Sequence, residues 1–240
     1  MGYKLLLASI LIFFCLQGIT QALSYTDPAA GYLKIMLEKG SQGTYQQIGN
    51  FKVIGTCYLF GERLNGSAYS DKEKSENVGL SYNMYKQQVD IYPNQSNFAI
   101  VKPAEEVDSF VVFKSASQYI KEDLCFYSSK LLDDQLPDCF LLLVQNGPRY
   151  KLYKSYKATL DYVSTNYIQS ELRQFSIDYT YYYYDAKNKA LKKIKLSKKK
   201  IVDEFASLMD VSEILDHQSI STNPEQALKA IIEQLNKKSE

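Results

Sequence analysis

The amino-acid sequence predicts an α+β fold that is mainly antiparallel β, a meander plus hairpins, with two C-terminal amphipathic helices. Three patterns indicate this fold class. Short apolar-alternating runs cut by turn residues extend from Tyr45 to Val112, two hairpin patterns lie between Phe140 and Leu196, and helical periodicity follows Ser197. The chain has 240 residues, which is enough to bury a sizeable core.

The first β region is predicted as a meander because its apolar runs alternate with turn residues such as Pro93 and Asn94, whose backbone preferences favour reversals. Strands are predicted at 49–60, 66–70, 79–85, 88–92, 98–101 and 107–113. Upstream, Tyr32, Ile35 and Met36 suggest a short helix. From 115 to 138 the periodicity is lost, and this stretch is predicted as a loop.

The second β region is predicted as two hairpins. Strands at 140–144 and 149–156 flank Asn146-Gly147, a pair typical of type I′ turns, in which both central residues need positive φ. Strands at 175–184 and 190–196 flank the turn at 185–188. The predicted organisation is therefore a signal at 1–22, a meander region at 23–114, a loop at 115–138 and a hairpin-helix region at 139–240. The two β regions are compatible with one shared domain.

The two C-terminal helices are predicted from caps and apolar periodicity. Ser197 can cap the first helix, and Asn223 with Pro224 starts the second. The inward face of the first consists of Ile201, Val202, Phe205, Leu208 and Met209, and that of the second of Leu228, Ile231, Ile232 and Leu235.

The first residues follow the three-part order of a secretory signal. Lys4 precedes an apolar run from Leu5 to Leu16, and a polar stretch leads to the small residue Ala22. The apolar run is too short to span a bilayer of about 30 Å as a helix, which disfavours the alternative of an uncleaved anchor. We expect cleavage near Ala22 and a secreted or periplasmic protein, with no transmembrane segment in the mature chain.

The charge balance gives no reason to expect nucleic acid as a partner. The chain has 28 basic and 27 acidic residues, and signal cleavage removes Lys4, so the mature net charge is close to zero. Three cysteines remain after cleavage, Cys57, Cys125 and Cys139. Cys125 and Cys139 could form a disulfide in an oxidising compartment, but buried free thiols are favoured because a chain of this length does not need disulfides to fold.

Several motifs from 55 to 112 resemble a family of secreted bacterial proteins of unknown function. They are a G-T-x-Y-L opening at Gly55, a G-x-x-Y strand at Gly66, an L-x-Y-N-x-Y strand at Leu80, and a proline followed by V-x-x-F, from Pro103 to Phe110. The segments 139–156 and 181–205 are similar to downstream pieces of that family. At Cys57 the family pattern usually carries proline. The resemblance implies export and a β-rich fold, and it implies no activity.

Residues with catalytic or metal-binding chemistry are sparse. The single histidine, His217, falls in a predicted loop, and no zinc, Walker or G-x-S-x-G motif is present, so no cofactor or metal is predicted. Paired carboxylates occur at Glu105-Glu106 and Asp133-Asp134. Calcium at the 133–138 loop, or a hydrolase whose carboxylates the fold assembles, remain alternatives.

Lysine and tyrosine supply the candidate binding residues. Eight lysines lie between Lys187 and Lys200, and Lys193 and Lys195 share one strand face while Lys192 lies on the other. This cluster either binds a polyanion or protects an exposed edge from aggregation. On the neighbouring strand, Tyr182 and Tyr184 form an outward face that either contacts a glycan or protein or reflects the strand propensity of tyrosine.

The leading hypothesis is a non-enzymatic exported binding or envelope-associated module. Its partner would be an envelope protein or glycan, with the candidate residues Lys192, Lys193, Lys195, Tyr182 and Tyr184. A hydrolase is the alternative, and a polyanion binder that uses the Lys187 to Lys200 hairpin is the weaker one.

Overall fold

The computed structural model describes residues 35–39, 45–50, 52–93, 96–133, 135–162 and 172–239. Within them, eleven strands form one mainly antiparallel sheet, two further strands form a separate hairpin, and three α-helices follow at the C-terminal end. The predicted α+β, mainly antiparallel fold class is confirmed. The predicted signal at residues 1–22 lies outside the described residues.

Strands and helices are numbered in chain order. The strands are β1 Ile35–Lys39, β2 Tyr45–Asn50, β3 Lys52–Ile54, β4 Leu64–Tyr69, β5 Lys74–Asn83, β6 Gln88–Tyr92, β7 Ile100–Pro103, β8 Ser109–Val112, β9 Leu124–Ser128, β10 Phe140–Gln145, β11 Tyr150–Tyr162, β12 Leu172–Asp185 and β13 Ala190–Ile194. The helices are α1 Lys198–Phe205, α2 Ser212–His217 and α3 Pro224–Ser239.

The large sheet consists of two meanders joined at their first strands. Its order is β13-β12-β11-β10-β9-β8-β4-β5-β6-β7, so β8 returns to pair with β4 instead of extending the first meander beyond β7. β3 adds to β12 and is parallel to it, whereas every other pair in the sheet is antiparallel. Strands from both predicted β regions therefore belong to one sheet.

Three local predictions upstream of β10 are wrong. The stretch 115–138, predicted as a loop, contains β9, which pairs with β8 on one side and β10 on the other. Ile35 and Met36 lie in β1, not in a helix. The strand predicted at 49–60 is interrupted, because the chain turns at Gly55 with a φ of +82°. The five residues of β9 lie between polar segments and are too few to show a clear period.

The larger core is formed by the inner face of the first meander and strands β8 to β11. Its centre is aromatic: the Phe110 and Phe126 rings stack at 4.5 Å, and Tyr82 and Phe140 pack around them. The Ala158 N–H donates to the Met84 carbonyl at 3.2 Å. Because β5 and β11 are not neighbours in the sheet, this contact requires the sheet to curve around the core.

The second core lies where the helices cover β11, β12 and β13. The apolar residues predicted to face inward on α3, from Leu228 to Leu235, are buried there, together with Ile201 and Phe205 of α1. The predicted caps are present: the Ser197 hydroxyl accepts from the Lys200 N–H at 3.3 Å, and the Asn223 side chain accepts from the Gln226 N–H at 3.3 Å. The short helix α2 lies between the two predicted ones and includes His217, which was predicted in a loop.

The turn between β10 and β11 is not of type I′, since neither Asn146 nor Gly147 has a positive φ. Gly147 is required there for a different reason. A Cβ at this position would lie 2.1 Å from the Asn236 Nδ2 atom of α3. Asn236 in turn accepts from the Tyr150 N–H at 2.8 Å and donates to the Tyr150 carbonyl at 2.9 Å, which fixes α3 to the start of β11.

Among the helices of the described residues, none is long and apolar enough to cross a membrane.

Candidate functional site

β12 presents six consecutive aromatic or hydroxyl-bearing residues, 179–184, before its final residue, and alternation sends them to opposite faces of the sheet. Tyr181 and Tyr183 face the helices and are 1% and 2% exposed. Tyr182 and Tyr184 face the other side and are only partly buried. One strand therefore carries two kinds of tyrosine.

The inner tyrosines are integrated into the helix-covered core. The Tyr183 ring lies 5.0 Å from that of Phe205, and its hydroxyl donates to Glu204 of α1 at 2.8 Å. The Tyr181 hydroxyl donates to Glu225 of α3 at 3.0 Å. Burial raises the pKa of both hydroxyls well above the ordinary range, so both remain protonated donors.

A charged residue lies between the two cores. The Lys154 side chain is 12% exposed, and its Nζ is 2.9 Å from the Glu225 carboxylate and 4.6 Å from the centre of the Tyr179 ring. Burial lowers the pKa of Lys154, but the hydrogen bond to Glu225 and the neighbouring Tyr156 and Tyr181 together outweigh burial, and the pKa is raised overall. For Glu225, burial raises the pKa, but Lys154, Tyr181 and Lys229 together lower it to below its ordinary value. The ammonium and the carboxylate therefore stabilise each other's charged forms.

On the opposite side of the sheet, four tyrosines of neighbouring strands form a continuous group that we name the outer tyrosine face. Tyr182 is directly opposite Tyr153, and the Tyr153 ring meets that of Tyr127 edge-on at 6.2 Å. Its members are Tyr127 of β9, Tyr153 of β11, and Tyr182 and Tyr184 of β12. None of the four hydroxyls makes a hydrogen bond to a residue that the structure describes.

Burial gives this face its electrostatic character. It raises the pKa of Tyr127, Tyr153 and Tyr182, so these hydroxyls are neutral donors and acceptors at physiological pH. Tyr153 is the buried centre of the group, with 3% exposure. Neutral hydroxyls on a mostly apolar aromatic surface are suited to contacts that combine burial of area with a few directed hydrogen bonds.

The predicted lysines divide between the two faces. Lys193 is directly opposite Tyr182 and borders the outer tyrosine face, as does Lys151, opposite Tyr184. Lys195 follows the end of β13 and is exposed. Lys192 lies on the helix side, 5.8 Å from the Tyr183 ring centre and 4.0 Å from Glu204. The sheet therefore brings Tyr182, Tyr184 and Lys193 together and separates them from Lys192.

Cys125 and Cys139 are free thiols and partly buried, so the alternative of a disulfide between them is not realised, and Cys57 is partly buried as well. Burial raises the pKa of the Cys125 and Cys139 thiols, and for Cys139 the hydrogen bonds with Ser129 and Ser155 act in the opposite direction. Raised thiol pKa values disfavour the thiolate that nucleophilic chemistry requires.

Carboxylates gather at one open cleft of about 330 Å³ beside β4 and β7. Lys102 Nζ lies 3.0 Å from Glu106 and 4.0 Å from Glu73, and Lys130 Nζ lies 3.0 Å from Asp108. Ion pairs with two lysines therefore account for the placement of Glu73, Glu106 and Asp108.

Metal ligands do not converge within the described part of the chain: no group of three or more His, Cys, Asp or Glu side chains is placed to hold an ion. Asp133 accepts a hydrogen bond from the Gln135 N–H at 3.0 Å, while Asp134 lies outside the described residues. His217 is exposed at the end of α2.

Comparisons with known proteins give no match: no family model, no curated protein and no solved structure is significantly similar to this chain. The resemblance to secreted bacterial proteins therefore stays a prediction from the motifs.

Two members of the outer tyrosine face were not singled out from the sequence. Tyr127 lies in the stretch that was predicted as a loop, and Tyr153 lies in a predicted strand without any local feature that distinguishes it. A correct strand order, with β9 inside the sheet, would have placed Tyr153 opposite Tyr182 and Tyr127 two strands from Tyr153. Periodicity gives the face on which a residue lies, but only pairing gives its neighbours.

Proposed function

We propose that this protein is a non-enzymatic, exported binding module whose outer tyrosine face docks on a partner protein of the cell envelope. The mature protein would act outside the cytoplasm, secreted or periplasmic, after cleavage near Ala22. The observation that carries the proposal is the outer tyrosine face itself: four adjacent tyrosines whose hydroxyls bond no described residue.

A protein is the favoured partner because of the chemistry of this face. Tyrosine is enriched at protein interfaces, since it buries a large area with little loss of side-chain entropy and retains a hydrogen-bonding tip. Lys151 and Lys193 border the tyrosines. A complementary partner would therefore present an apolar centre with an acidic rim. An envelope glycan, which can stack on tyrosine rings, is the alternative ligand.

The experiment compares one double variant and one single control variant with the wild type in capture from envelope extract. Tyr182→Ser with Tyr184→Ser removes two rings of the face, and Tyr119→Ser is the matched control, because Tyr119 is 91% exposed and is not a member of the face. We expect at least a tenfold loss of one specific captured protein in the double variant, no loss in the control, and weaker capture at high salt.

The results discriminate between the candidate partners. Capture of the same protein by wild type and the double variant would contradict the proposal. Binding on a glycan array that depends on Tyr182 and Tyr184, without protein capture, would replace the protein partner with a glycan. Turnover in hydrolase screening that is lost in Glu106→Gln would favour the hydrolase alternative.

Export is tested separately, by mass spectrometry of the N-terminus of the exported protein, which we expect to be Leu23.

A further inference from the structure

Among the described residues, one edge of β12 has strand neighbours at both ends and none in the middle. β3 pairs with Leu172–Gln174 in parallel, and β13 pairs with Tyr181–Asp185 in antiparallel orientation. β11 occupies the other edge along its whole paired length, from Arg173 to Asp185. Between the two partial neighbours, residues 175–180 pair with no strand among the described residues on this edge. We name these six residues the open segment.

Both neighbouring strands turn away where the open segment begins and ends. β3 stops at Ile54, and Gly55 turns the chain with a φ of +82°; a Cβ there would be 3.7 Å from Phe175. β13 stops at Ile194, and the Ser197 N–H donates to the Lys195 carbonyl at 2.8 Å before α1 begins. The backbone amides of an unpaired strand edge are a template for an added strand.

The side chains of the open segment alternate in chemistry. Ile177 and Tyr179 are on the inner face and are 48% and 45% exposed, unusually high for apolar residues in the middle of a strand. Asp178 is exposed on the outer face, opposite Lys157 of β11. Tyr179 is held in place by Lys154, 4.6 Å from its ring centre, and by the Tyr181 ring at 5.6 Å.

The positions of β3 and β13 restrict which ligands can pair with the open segment. β3 and β13 each extend beyond the β12 edge by one strand spacing, about 4.8 Å, so the open segment is recessed between them. The same edge of a second copy is recessed as well, and two recessed edges cannot meet. A single extended peptide of about six residues can fit between β3 and β13 and pair with the open segment.

We propose that the open segment binds an extended peptide by strand addition, with apolar side chains at alternate positions against Ile177 and Tyr179, and a basic side chain opposite Asp178. The charge of Asp178 selects the basic residue, and the pleat of the strand sets the alternation. This site is separate from the outer tyrosine face and does not depend on its function.

The test uses the full mature chain and a fluorescently labelled peptide, Thr-Val-Lys-Val-Thr-Val, in anisotropy titrations. In antiparallel register its second and fourth residues oppose Tyr179 and Ile177, and its lysine opposes Asp178. We expect saturable binding. A peptide with the same side chains but N-methylated at alternate residues should bind at least tenfold more weakly, because it cannot donate the ladder hydrogen bonds.

A charge exchange identifies the site. We expect Asp178→Lys to weaken binding of the lysine peptide about tenfold and to strengthen binding of the matching glutamate peptide by a similar factor. Tyr182→Ser should leave both affinities unchanged, which separates this site from the proposed function. Circular dichroism melts would verify that each variant folds.

Three binding results would overturn the proposal. They are equal binding of the N-methylated peptide, absence of the charge exchange, and absence of any binding by the folded protein. Amides of residues 175–180 that are all strongly protected from hydrogen exchange without peptide would also overturn it, because they would show that another part of the chain occupies this edge.

Discussion

Tyr181 and Tyr183 lie under the C-terminal helices and donate to Glu225 and Glu204, whereas Tyr182 and Tyr184, each one residue away, face the opposite side with hydroxyls that bond no described residue. The residue type and the strand are the same. The difference is what lies above each face: α1 and α3 cover one, and the other carries a group of tyrosines from three strands. A high tyrosine content alone therefore does not indicate a binding surface. The hydrogen-bond partners of the hydroxyls distinguish tyrosines that hold the fold together from those that could contact a ligand.

The largest expected difference between the faces is the cost of removing a ring. Tyr183→Ala should lower the free energy of unfolding by about 3 to 5 kcal/mol, because it opens a cavity beside Phe205. Tyr184→Ala should lower it by about 1 kcal/mol or less, since its ring is only partly buried. Urea unfolding of both variants measures the difference. Equal losses would mean that the outer face is also structural.

The next largest expected loss of stability comes from disturbing the close contact between α3 and the β10–β11 turn. Gly147→Ala should lower the free energy of unfolding by about 2 kcal/mol, because the new Cβ displaces Asn236 from Tyr150. In an Asn236→Ala background the same substitution should cost less, since the clash with the Asn236 side chain is gone and only the 2.6 Å contact with the Tyr150 carbonyl oxygen remains. Additive effects in this double-mutant cycle would show that another contact makes the glycine necessary.

The Lys154–Glu225 pair on the helix-covered face should make stability depend on pH. Glu225→Gln leaves a largely buried ammonium without its carboxylate and should cost about 2 kcal/mol at pH 7, less than a fully buried pair because Glu225 is about a third exposed. The pKa of Glu225 is lowered in the folded protein. Its contribution is therefore present above the ordinary value of 4.5 and is lost as the pH falls through the lower folded value.

Urea unfolding at pH 7, 4 and 3 would measure this dependence. The difference between wild type and Glu225→Gln should shrink as the pH falls. The control is Glu233→Gln, also on α3, whose carboxylate is 57% exposed and paired with Lys237; we expect it to change stability by about 0.5 kcal/mol or less. A difference for Glu225→Gln that does not change with pH would refute the role of its charge.

The smallest expected difference in stability between the two faces comes from removing single hydroxyls. Tyr183→Phe should cost about 1 kcal/mol, because Glu204 loses a donor. Tyr182→Phe should leave the free energy of unfolding unchanged within about 0.3 kcal/mol, as its hydroxyl bonds no described residue. Thermal unfolding resolves both effects. A cost for Tyr182→Phe equal to that for Tyr183→Phe would reveal an unrecognised partner on the outer side.

Much of the fold could be predicted from local pattern. β6 lies at the predicted residues, Ser197 and Asn223 cap helices as expected, and the alternation of residues 175–184 correctly separates the buried Tyr181 and Tyr183 from Tyr182 and Tyr184. These features depend on neighbours in the chain, which the sequence displays directly.

What the sequence did not predict depends on residues that are distant in the chain. Tyr127 lies next to Tyr153 because β8 pairs with β4 and β9 is part of the same sheet. Hydrophobic periodicity along the chain predicts neither of these pairings. Gly147 illustrates the same limit, since a Cβ there would clash with Asn236, which is distant in the chain, as well as with the Tyr150 carbonyl oxygen. The candidate site was therefore predicted in its β12 half and missed in its β9 and β11 half.

The central claim is that the outer tyrosine face contacts a partner in its natural location. The most direct measurement is photo-crosslinking in intact cells, with a benzophenone amino acid in place of Tyr184 and, as control, in place of the highly exposed Tyr119. A discrete crosslinked protein from position 184, absent from position 119, is the predicted result. No product from position 184, or the same products from both positions, would contradict the claim.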